Sequence, residues 1–286
     1  MLGAKVGKKI NRSNWGTVTI FLVLTLIGLF MSLPFIYAIL QSLKPMDELF
    51  IFPPRFFVNR PTIRNYGALF RLTNTLWVPF SRTVFNSIIV TITGTFAHVF
   101  LASMAAYPLA KGRFPGREII FNTVVLALLF NGGVAAIPQY ILMAKSGMAN
   151  TFFALILPPV ASPLGLFLMK QFMECIPDST LESARIDGAG VFRIYWKIVM
   201  PQAKPAWITL IIFAFQALWS SEGGSLIMTE QMKVLPTTIK QIASYGLARS
   251  DIGAAAAVVL MIPPMAVFIV SQSNIMETMQ HSGIKG

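Results

Sequence analysis

The chain has 286 residues, of which 55% are hydrophobic and only 12% are charged. Soluble globular domains carry about 25% charged residues, so the composition excludes an ordinary soluble domain and indicates a membrane protein with several spans. The net charge of +12 would suit nucleic-acid binding, but the basic residues sit beside apolar segments, where anionic lipid headgroups explain them. The single cysteine, Cys175, excludes an internal disulfide.

Apolar segments of membrane-spanning length recur along the chain. Residues 18–40 follow a basic N-terminal tail (residues 1–14) and contain no charged residue. At 1.5 Å per residue they reach roughly 34 Å, enough for a hydrocarbon core of about 30 Å. The same criterion predicts further spans at 84–109, 119–144, 151–172, 206–228 and 254–271. The predicted fold is an all-α membrane protein, with six transmembrane helices in one domain over residues 15–286.

Prolines interrupt several of these spans. Each proline inside a membrane helix frees a backbone carbonyl, which must find a partner in protein or water. Such breaks suit a bundle that bends between conformations, although they can also serve only to shape the packing. The prolines concerned are Pro108, Pro138, Pro158, Pro159, Pro163, Pro263 and Pro264.

Six spans place both termini on one side of the membrane. The basic N-terminus, the Lys111–Arg113 turn and the polar loop after the fourth span then share the cytoplasm. The first outside loop, residues 41–82, departs from this charge rule. It contains two acidic residues and six basic ones, namely Lys44, Arg55, Arg60, Arg64, Arg71 and Arg82.

The most polar stretch of the chain, residues 177–201, lies between two nearly continuous apolar segments. Asp178 and Ser179 are expected to cap a helix, with Glu182 reaching back as in a capping box. Gly188 and Gly190 predict a turn, and a second amphipathic helix is expected from 192 to 200, stopped by Pro201. Two short helices around a glycine turn, on the water side of a membrane, predict a docking surface.

This stretch resembles the EAA loop of binding-protein-dependent ABC importer permeases, so we name it the coupling loop (residues 177–201). The family pattern is Glu-Ala-Ala, three residues, Gly, about nine residues and a hydrophobic-x-x-Pro ending. The matching residues are Glu182, Ser183, Ala184, Asp187, Gly188, Ala189, Gly190 and Val199-Met200-Pro201, with Ser183 in place of the first Ala. The 106–117 turn and the 272–285 tail are similar to those of maltose-type carbohydrate permeases.

The resemblance implies a type I importer permease in a bacterial plasma membrane, with both termini cytoplasmic. It implies a homologous second permease subunit, two ABC ATPase subunits and an extracellular solute-binding protein as partners, and a carbohydrate, in particular an oligosaccharide, as substrate. In that family the loop that carries Glu182 inserts into a cleft on the ATPase subunit, where a carboxylate can pair with Arg or Lys. Asp187 and Gly190 would share this contact, and Phe192, Ile194 and Val199 would be buried against the bundle or the partner.

The chain itself is expected to be non-enzymatic. Its nearest approach to a phosphate-binding loop, Gly3 to Lys9, is too short between its glycines and lacks the Ser or Thr that follows the lysine. No catalytic residue, metal ligand or cofactor is predicted here. ATP and Mg²⁺ would be bound by the partner ATPase subunits.

Polar side chains at membrane depth are the candidates for a substrate path, because they are costly there. They are Asn86, Thr91, His98, Asn122, Asn131, Gln139 and Gln216. Sugars bind to aromatic faces beside hydrogen-bonding groups, which favours Gln216 with Trp219, and Asn131 with Gln139 and Tyr140. Interhelical hydrogen bonds and interfacial anchoring are the alternative, and His98 is expected to be a structural residue that faces the bundle.

The outside loop at 220–251 includes Glu222, Gly223 and Gly224. In the family the corresponding loop reaches into the docked solute-binding protein, and a solvated cap over the bundle is the alternative. Two other classes of protein are the alternatives for the whole chain. A self-sufficient secondary transporter or channel calls for intramembrane carboxylates, yet the one Asp or Glu in the predicted spans is Glu222, near the end of the fifth. A membrane scaffold has no need of the charged loop.

Overall fold

The computed structural model describes residues 14–74, 78–130, 132–244 and 246–282, and every regular element in those residues is helical. Backbone groups in lipid must be satisfied within their own segment, which favours helices in apolar runs. The helices are α1 (Asn14–Ser42), α2 (Met46–Leu49), α3 (Arg64–Asn74), α4 (Phe80–Lys111), α5 (Arg117–Ala127), α6 (Gly132–Lys145), α7 (Phe152–Val160), α8 (Pro163–Glu174), α9 (Asp178–Ile186), α10 (Val191–Ile194), α11 (Met200–Gln202), α12 (Lys204–Trp219), α13 (Leu235–Ala243) and α14 (Ser250–Ser282).

Three of the described helices are long and apolar enough to cross a membrane without a break. These segments are Trp15–Ser42, Phe80–Lys111 and Ser250–Gln272. They contain the predicted spans 18–40, 84–109 and 254–271, and the all-α membrane fold is confirmed. Pro263 and Pro264 do not interrupt α14, which runs through both of them.

The fourth predicted span consists of two helices that meet at a bend, and the helix of the fifth predicted span follows directly after another bend. The angle between α7 and α8 is 41°, and the angle between the helical run Val191–Gln202 and α12 is 76°. The predicted end of the fifth span at residue 228 is wrong, because α12 ends at Trp219. Gly223 and Gly224 follow with positive φ angles of 72° and 49°, which a continuing helix does not allow.

The third predicted span, 119–144, is divided into two helices of 11 and 14 residues, α5 and α6. Each is shorter than the hydrocarbon core, since 14 residues reach only about 21 Å. The helix tightens before the break: the N–H of Leu129 donates to the carbonyl of Leu126 at 3.0 Å, a three-residue step. Gly132 and Gly133 follow, and glycine has a low helix propensity.

The core is built around α4, which packs against α7, α8 and α12, while α12 and α1 pack against α14. Small residues permit this close packing. A Cβ added to Gly94 of α4 would lie 2.8 Å from Leu218, and one added to Gly165 of α8 would overlap the imidazole of His98. In a membrane, where the hydrophobic effect does not drive helices together, such close contact holds a bundle.

The segment between α12 and α14 is folded onto the bundle, at the end where α4 begins. The side-chain amide of Asn86 donates to the carbonyls of Gln231 and Lys233 at 2.8 and 3.0 Å. The side-chain carbonyl of Asn150 accepts from the backbone N–H groups of Met228 and Thr229. This segment is therefore a structured cap, and Asn86, a predicted substrate-path candidate, holds it in place.

Candidate functional site

The coupling loop consists of two helical arms joined by a tight turn, as predicted. The first arm is α9, Asp178–Ile186, and the second is the continuous helical run Val191–Gln202. Gly188 in the turn has a φ of 77°, whereas Gly190 has a φ of −67° and precedes the second arm. Only Gly188 therefore needs the conformational freedom of glycine.

The predicted cap of the first arm is wrong. Pro177 is the residue at the cap position of α9, and no side chain accepts a hydrogen bond from the first turn. Asp178 is instead engaged by Lys111, whose ammonium group lies 2.7 Å from its Oδ1. Ser183 donates its hydroxyl to the carbonyl of Ser179 within the helix. The carboxylate of Asp178 is thus used to bind a neighbouring element and not to cap its own helix.

Pro201 does not stop the second arm, contrary to the prediction. The helical run continues to Gln202, and the chain bends at Ala203. The run widens to a π-helical turn at Tyr195–Val199, in which the N–H of Met200 donates to the carbonyl of Tyr195. Proline has no N–H to give to the carbonyl four residues earlier, and a π-turn next to it accommodates that loss.

Lys111, the last residue of α4, holds the start of the first arm. Its ammonium donates to the carbonyls of Glu174 and Ile176 at 3.1 and 2.5 Å and to the carboxylate of Asp178. The Lys111 side chain is only 8% exposed. One cation thus fastens the end of α4, the end of α8 and the first residue of α9 together.

The carboxylate of Asp178 has a lowered pKa, because Lys111 donates a hydrogen bond to it and attracts its negative charge. A lowered pKa in the folded state means that this link contributes stability above the ordinary carboxyl pKa. The contribution is lost as pH falls through the lowered value. The link is therefore fully formed at neutral pH.

A second polar contact joins the other arm to α4. The hydroxyl groups of Ser103 and Tyr195 lie 2.6 Å apart, and both residues are buried. The indole N–H of Trp207, on α12, donates to the carbonyl of Met200 at 3.1 Å. Sequence reasoning missed Lys111, Ser103 and Tyr195 as parts of the site. Of these three residues, only Lys111 could have been singled out from the sequence, because it belongs to the 106–117 turn that resembles carbohydrate permeases.

Each arm has a buried side and an exposed side. Leu181 and Ala184 of the first arm, and Ile194 and Val199 of the second, join one apolar core cluster with residues of α4, α8 and α12. The opposite side is exposed and includes Glu182, Ser183, Arg185, Ile186, Asp187, Gly188, Gly190, Val191, Phe192 and Pro201. Ile186, at 87% exposure, and Phe192, at 70%, are large apolar side chains beside carboxylates. This mixture is typical of a protein-binding surface.

The predicted substrate-path residues do not form one site. Gln139 lines a cavity of about 510 Å³ together with His98, Ser162 and Glu222, which we name the His98 cavity. Gln216 and Trp219 line a separate cavity of about 540 Å³ between α12 and α14, which we name the Gln216 cavity.

The remaining predicted path residues have other environments. Trp219 is buried and donates its indole N–H to the carbonyl of Leu260 at 2.8 Å, so it packs α12 against α14. Tyr140 is half-buried in α6. Asn131 lies outside the described residues. Thr91 is buried in α4, and Asn122 is exposed on α5.

His98 is buried and lies 2.8 Å, through Nδ1, from the carbonyl of Val160. Because a carbonyl only accepts, Nδ1 carries the proton in this contact. Val160 is the last residue of α7, at the bend before Pro163. The imidazole therefore donates to a backbone carbonyl at the bend between α7 and α8, and it faces the bundle, as expected.

Glu222, Gly223 and Gly224 lie where α12 turns into the cap. The carboxylate of Glu222 pairs with Lys240 at 2.6 Å, and its backbone carbonyl accepts from the hydroxyl of Thr237. A Cβ added to Gly223 would lie 2.8 Å from Leu155. This corner is held against the bundle and borders the His98 cavity.

Two proteins of Bacillus subtilis are similar to this chain over about two thirds of its length. LplC of Bacillus subtilis (strain 168) is 34% identical over 199 residues, which cover 68% of this chain and 63% of LplC. The polygalacturonan/rhamnogalacturonan transport system permease protein YtcP of the same organism is 32% identical over 198 residues, covering 69% of this chain and 67% of YtcP.

Solved structures share the fold. A chain of a bacterial ABC transporter that imports the acidic polysaccharide alginate superimposes with a TM-score of 0.76 at 23% identity, covering 93% of this chain and 99% of that one. A chain of the alginate transporter in complex with its alginate pentasaccharide-bound periplasmic protein superimposes with a TM-score of 0.55 at 14% identity, covering 89% and 90%. Residues 11–280 match the family described as the binding-protein-dependent transport system inner membrane component, and the chain belongs to that family.

Proposed function

We propose that the chain is a membrane subunit of an ATP-driven importer of a carbohydrate, in particular an oligosaccharide. The coupling loop supports this proposal most directly, since it is rigidly held on one side and exposes charged and apolar groups on the other. The names of the relatives favour the substrate class, because YtcP serves polygalacturonan and rhamnogalacturonan transport. The alginate importer shares the fold.

The coupling loop would receive work from an ATPase subunit. Glu182 and Asp187 offer carboxylates for charge-assisted hydrogen bonds with Arg or Lys of the partner, and Phe192 offers apolar area. Lys111 and the Ser103–Tyr195 contact tie both arms to α4. A push on the loop would therefore move α4 and the helices packed against it, and two such subunits moving together would alternate the side on which the path opens.

The assembly we propose contains a homologous second permease, two ATPase subunits that bind ATP and Mg²⁺, and an extracellular solute-binding protein. Both termini and the coupling loop would face the cytoplasm, and the cap would face outward. The corner at Glu222, Gly223 and Gly224 would then meet the binding protein. Of the predicted path residues, Gln139 is the one best placed for sugar, since its cavity borders that corner.

The test reconstitutes the chain with its partner permease, ATPase subunits and binding protein in vesicles. Glu182→Lys is expected to abolish ATP-dependent oligosaccharide uptake and to reduce co-purification of the ATPase at least tenfold, with normal membrane insertion. The reason is that a carboxylate contact becomes a like-charge contact, which costs roughly 1–3 kcal/mol or more.

Glu118→Lys provides the matched control, because Glu118 is also an exposed carboxylate but lies on α5, outside the coupling loop. Uptake by this control should continue. Normal uptake by Glu182→Lys would refute the coupling role. Uptake by the chain without any ATPase subunit would instead support a self-sufficient transporter or channel.

A further inference from the structure

The loop between α1 and α3 exposes a group of large apolar side chains at one end of the bundle. Phe52 is 92% exposed, Phe57 is 72% exposed and Ile63 is 80% exposed. Phe50 and Phe56 are partly exposed as well. Single exposed apolar residues are normal, but a contiguous set on a structured loop marks a contact surface.

The loop is rigidly closed, so this exposure is built into the fold. The carboxylate of Glu48, which is buried, accepts from the backbone N–H groups of Asn59 and Arg60 at 2.7 and 3.2 Å. The buried ammonium of Lys44 donates to the carbonyl of Arg55 at 2.5 Å. Two charged residues of the first outside loop, Lys44 and Glu48, therefore hold the loop closed by hydrogen bonds to its own backbone.

The depth of the loop follows from its contact with α1. The 29 residues of α1 reach about 43 Å, which matches a bilayer of about 40–45 Å with its headgroups. Phe56 packs against Tyr37 with ring centroids 5.6 Å apart, and Phe57 packs on Phe56 at 5.3 Å. Tyr37 lies about 7.5 Å inside the Ser42 end of the helix. The loop thus folds back to the boundary between headgroups and hydrocarbon.

The charges around the aromatic residues suit that boundary. Arg55 is exposed within the aromatic stretch, Arg64 is exposed next to Ile63 in the chain, and Arg60 is exposed although it pairs with Asp47. Exposed Phe side chains with Arg nearby are typical of segments that lie in the membrane surface, and each basic residue gains attraction from anionic lipid. Binding to anionic lipid would then explain why this loop, although predicted to lie outside, carries an excess of basic residues.

We propose that residues 50–57 form a lipid-binding loop that inserts Phe52 and Phe57 into the leaflet at the Ser42 end of α1. Arg55 and Arg64 hold anionic phospholipid headgroups above the rings. This requires only that α1 spans the membrane. The assignment of that leaflet as the outer one rests on the orientation given under Proposed function.

The test measures depth with spin labels on the assembled transporter in vesicles of phosphatidylcholine and phosphatidylglycerol. The native thiol is removed by Cys175→Ser, and single labels are placed with Phe52→Cys and with two references. Phe30→Cys reports the middle of α1, where the side chain is 74% exposed, and Gln241→Cys reports an exposed position on α13 of the cap. Collision rates with oxygen and with a nickel chelate are compared.

The Phe52 label is expected to collide with oxygen several-fold more, relative to the nickel chelate, than the Gln241 label does, and less than the Phe30 label. Replacing Arg55 and Arg64 by Gln should remove any increase in depth that phosphatidylglycerol causes. An aqueous signal at Phe52, equal to that at Gln241, would overturn the proposal. So would protection that arises only when the binding protein is added, since the loop would then contact protein. Neither result depends on transport, so the proposed function is tested separately.

Discussion

At the residue scale, Lys111 is the side chain on which the geometry of the coupling loop depends most. Its ammonium binds three acceptors, one from α8, one from α9 and one from the connection between them, while the side chain is almost completely buried. Lys111→Met keeps the length of the side chain but removes every donor. Each acceptor left without a partner costs roughly 1–3 kcal/mol where it is buried, less where it is exposed, as Asp178 is.

We therefore expect Lys111→Met to uncouple the importer: ATP hydrolysis in the reconstituted complex continues, while uptake per ATP falls several-fold. Lys111→Arg, which keeps a cation and several donors, should recover part of the coupling. Equal loss of hydrolysis and uptake would indicate instead that the substitution only prevents assembly. Unchanged coupling would show that the contact is dispensable.

At the element scale, the turn of the coupling loop offers a comparison of two glycines. A Cβ meets nothing within 4 Å at either Gly188 or Gly190, but only Gly188 has a positive φ. An L-residue in the left-handed region costs about 1–2 kcal/mol. Gly188→Ala should therefore shift the angle between the arms and lower co-purification of the ATPase about five- to tenfold.

Gly190→Ala is the matched control, because its backbone is in an ordinary region and the added methyl group has space. Its co-purification should equal that of the unsubstituted chain. If both variants bound the ATPase equally well, the turn would tolerate rearrangement and the arms would not need their observed angle.

The elements also show what a sequence can and cannot predict. Uninterrupted apolar runs identified α1, α4 and α14, because hydrocarbon imposes a length on any helix that crosses it. Prolines did not identify the breaks: α14 runs through Pro263 and Pro264, whereas the chain bends between α7 and α8. The bend between α7 and α8 depends on a residue distant in sequence, because His98 donates a hydrogen bond to the carbonyl of Val160 at the end of α7.

The coupling loop shows the same division between local and distant information. Its two arms and its glycine turn follow from helix propensity and from the resemblance. The contacts that hold the loop to α4 cannot be predicted in this way, because Lys111 lies 67 residues before Asp178 and Ser103 lies 92 residues before Tyr195. Local capping rules assigned Asp178 to its own helix, where a stronger, charge-assisted partner from α4 was available.

At the scale of the whole molecule, α4 links the two ends of the bundle. It holds the cap at its first turns, through Asn86, and the coupling loop at its last residue, through Lys111. A rigid helix fixed at both ends transmits displacement between them. The His98 cavity lies beside this helix and beneath the cap, and it is therefore a better candidate for the sugar path than the Gln216 cavity, which lies between α12 and α14.

Two substitutions, each filling one cavity, test whether sugar passes through the His98 cavity or through the Gln216 cavity. Ala217 lines the His98 cavity and Ala257 lines the Gln216 cavity, and both are exposed alanines in helices. An indole at either position fills space without removing a hydrogen bond. Ala217→Trp should lower the maximal rate of oligosaccharide uptake at least tenfold, with ATPase assembly intact, whereas Ala257→Trp should leave uptake within about twofold, because overpacking at an open site costs little. The reverse pattern would move the sugar path to the Gln216 cavity, and equal uptake by both variants would place it on the surface that this chain shares with its partner permease.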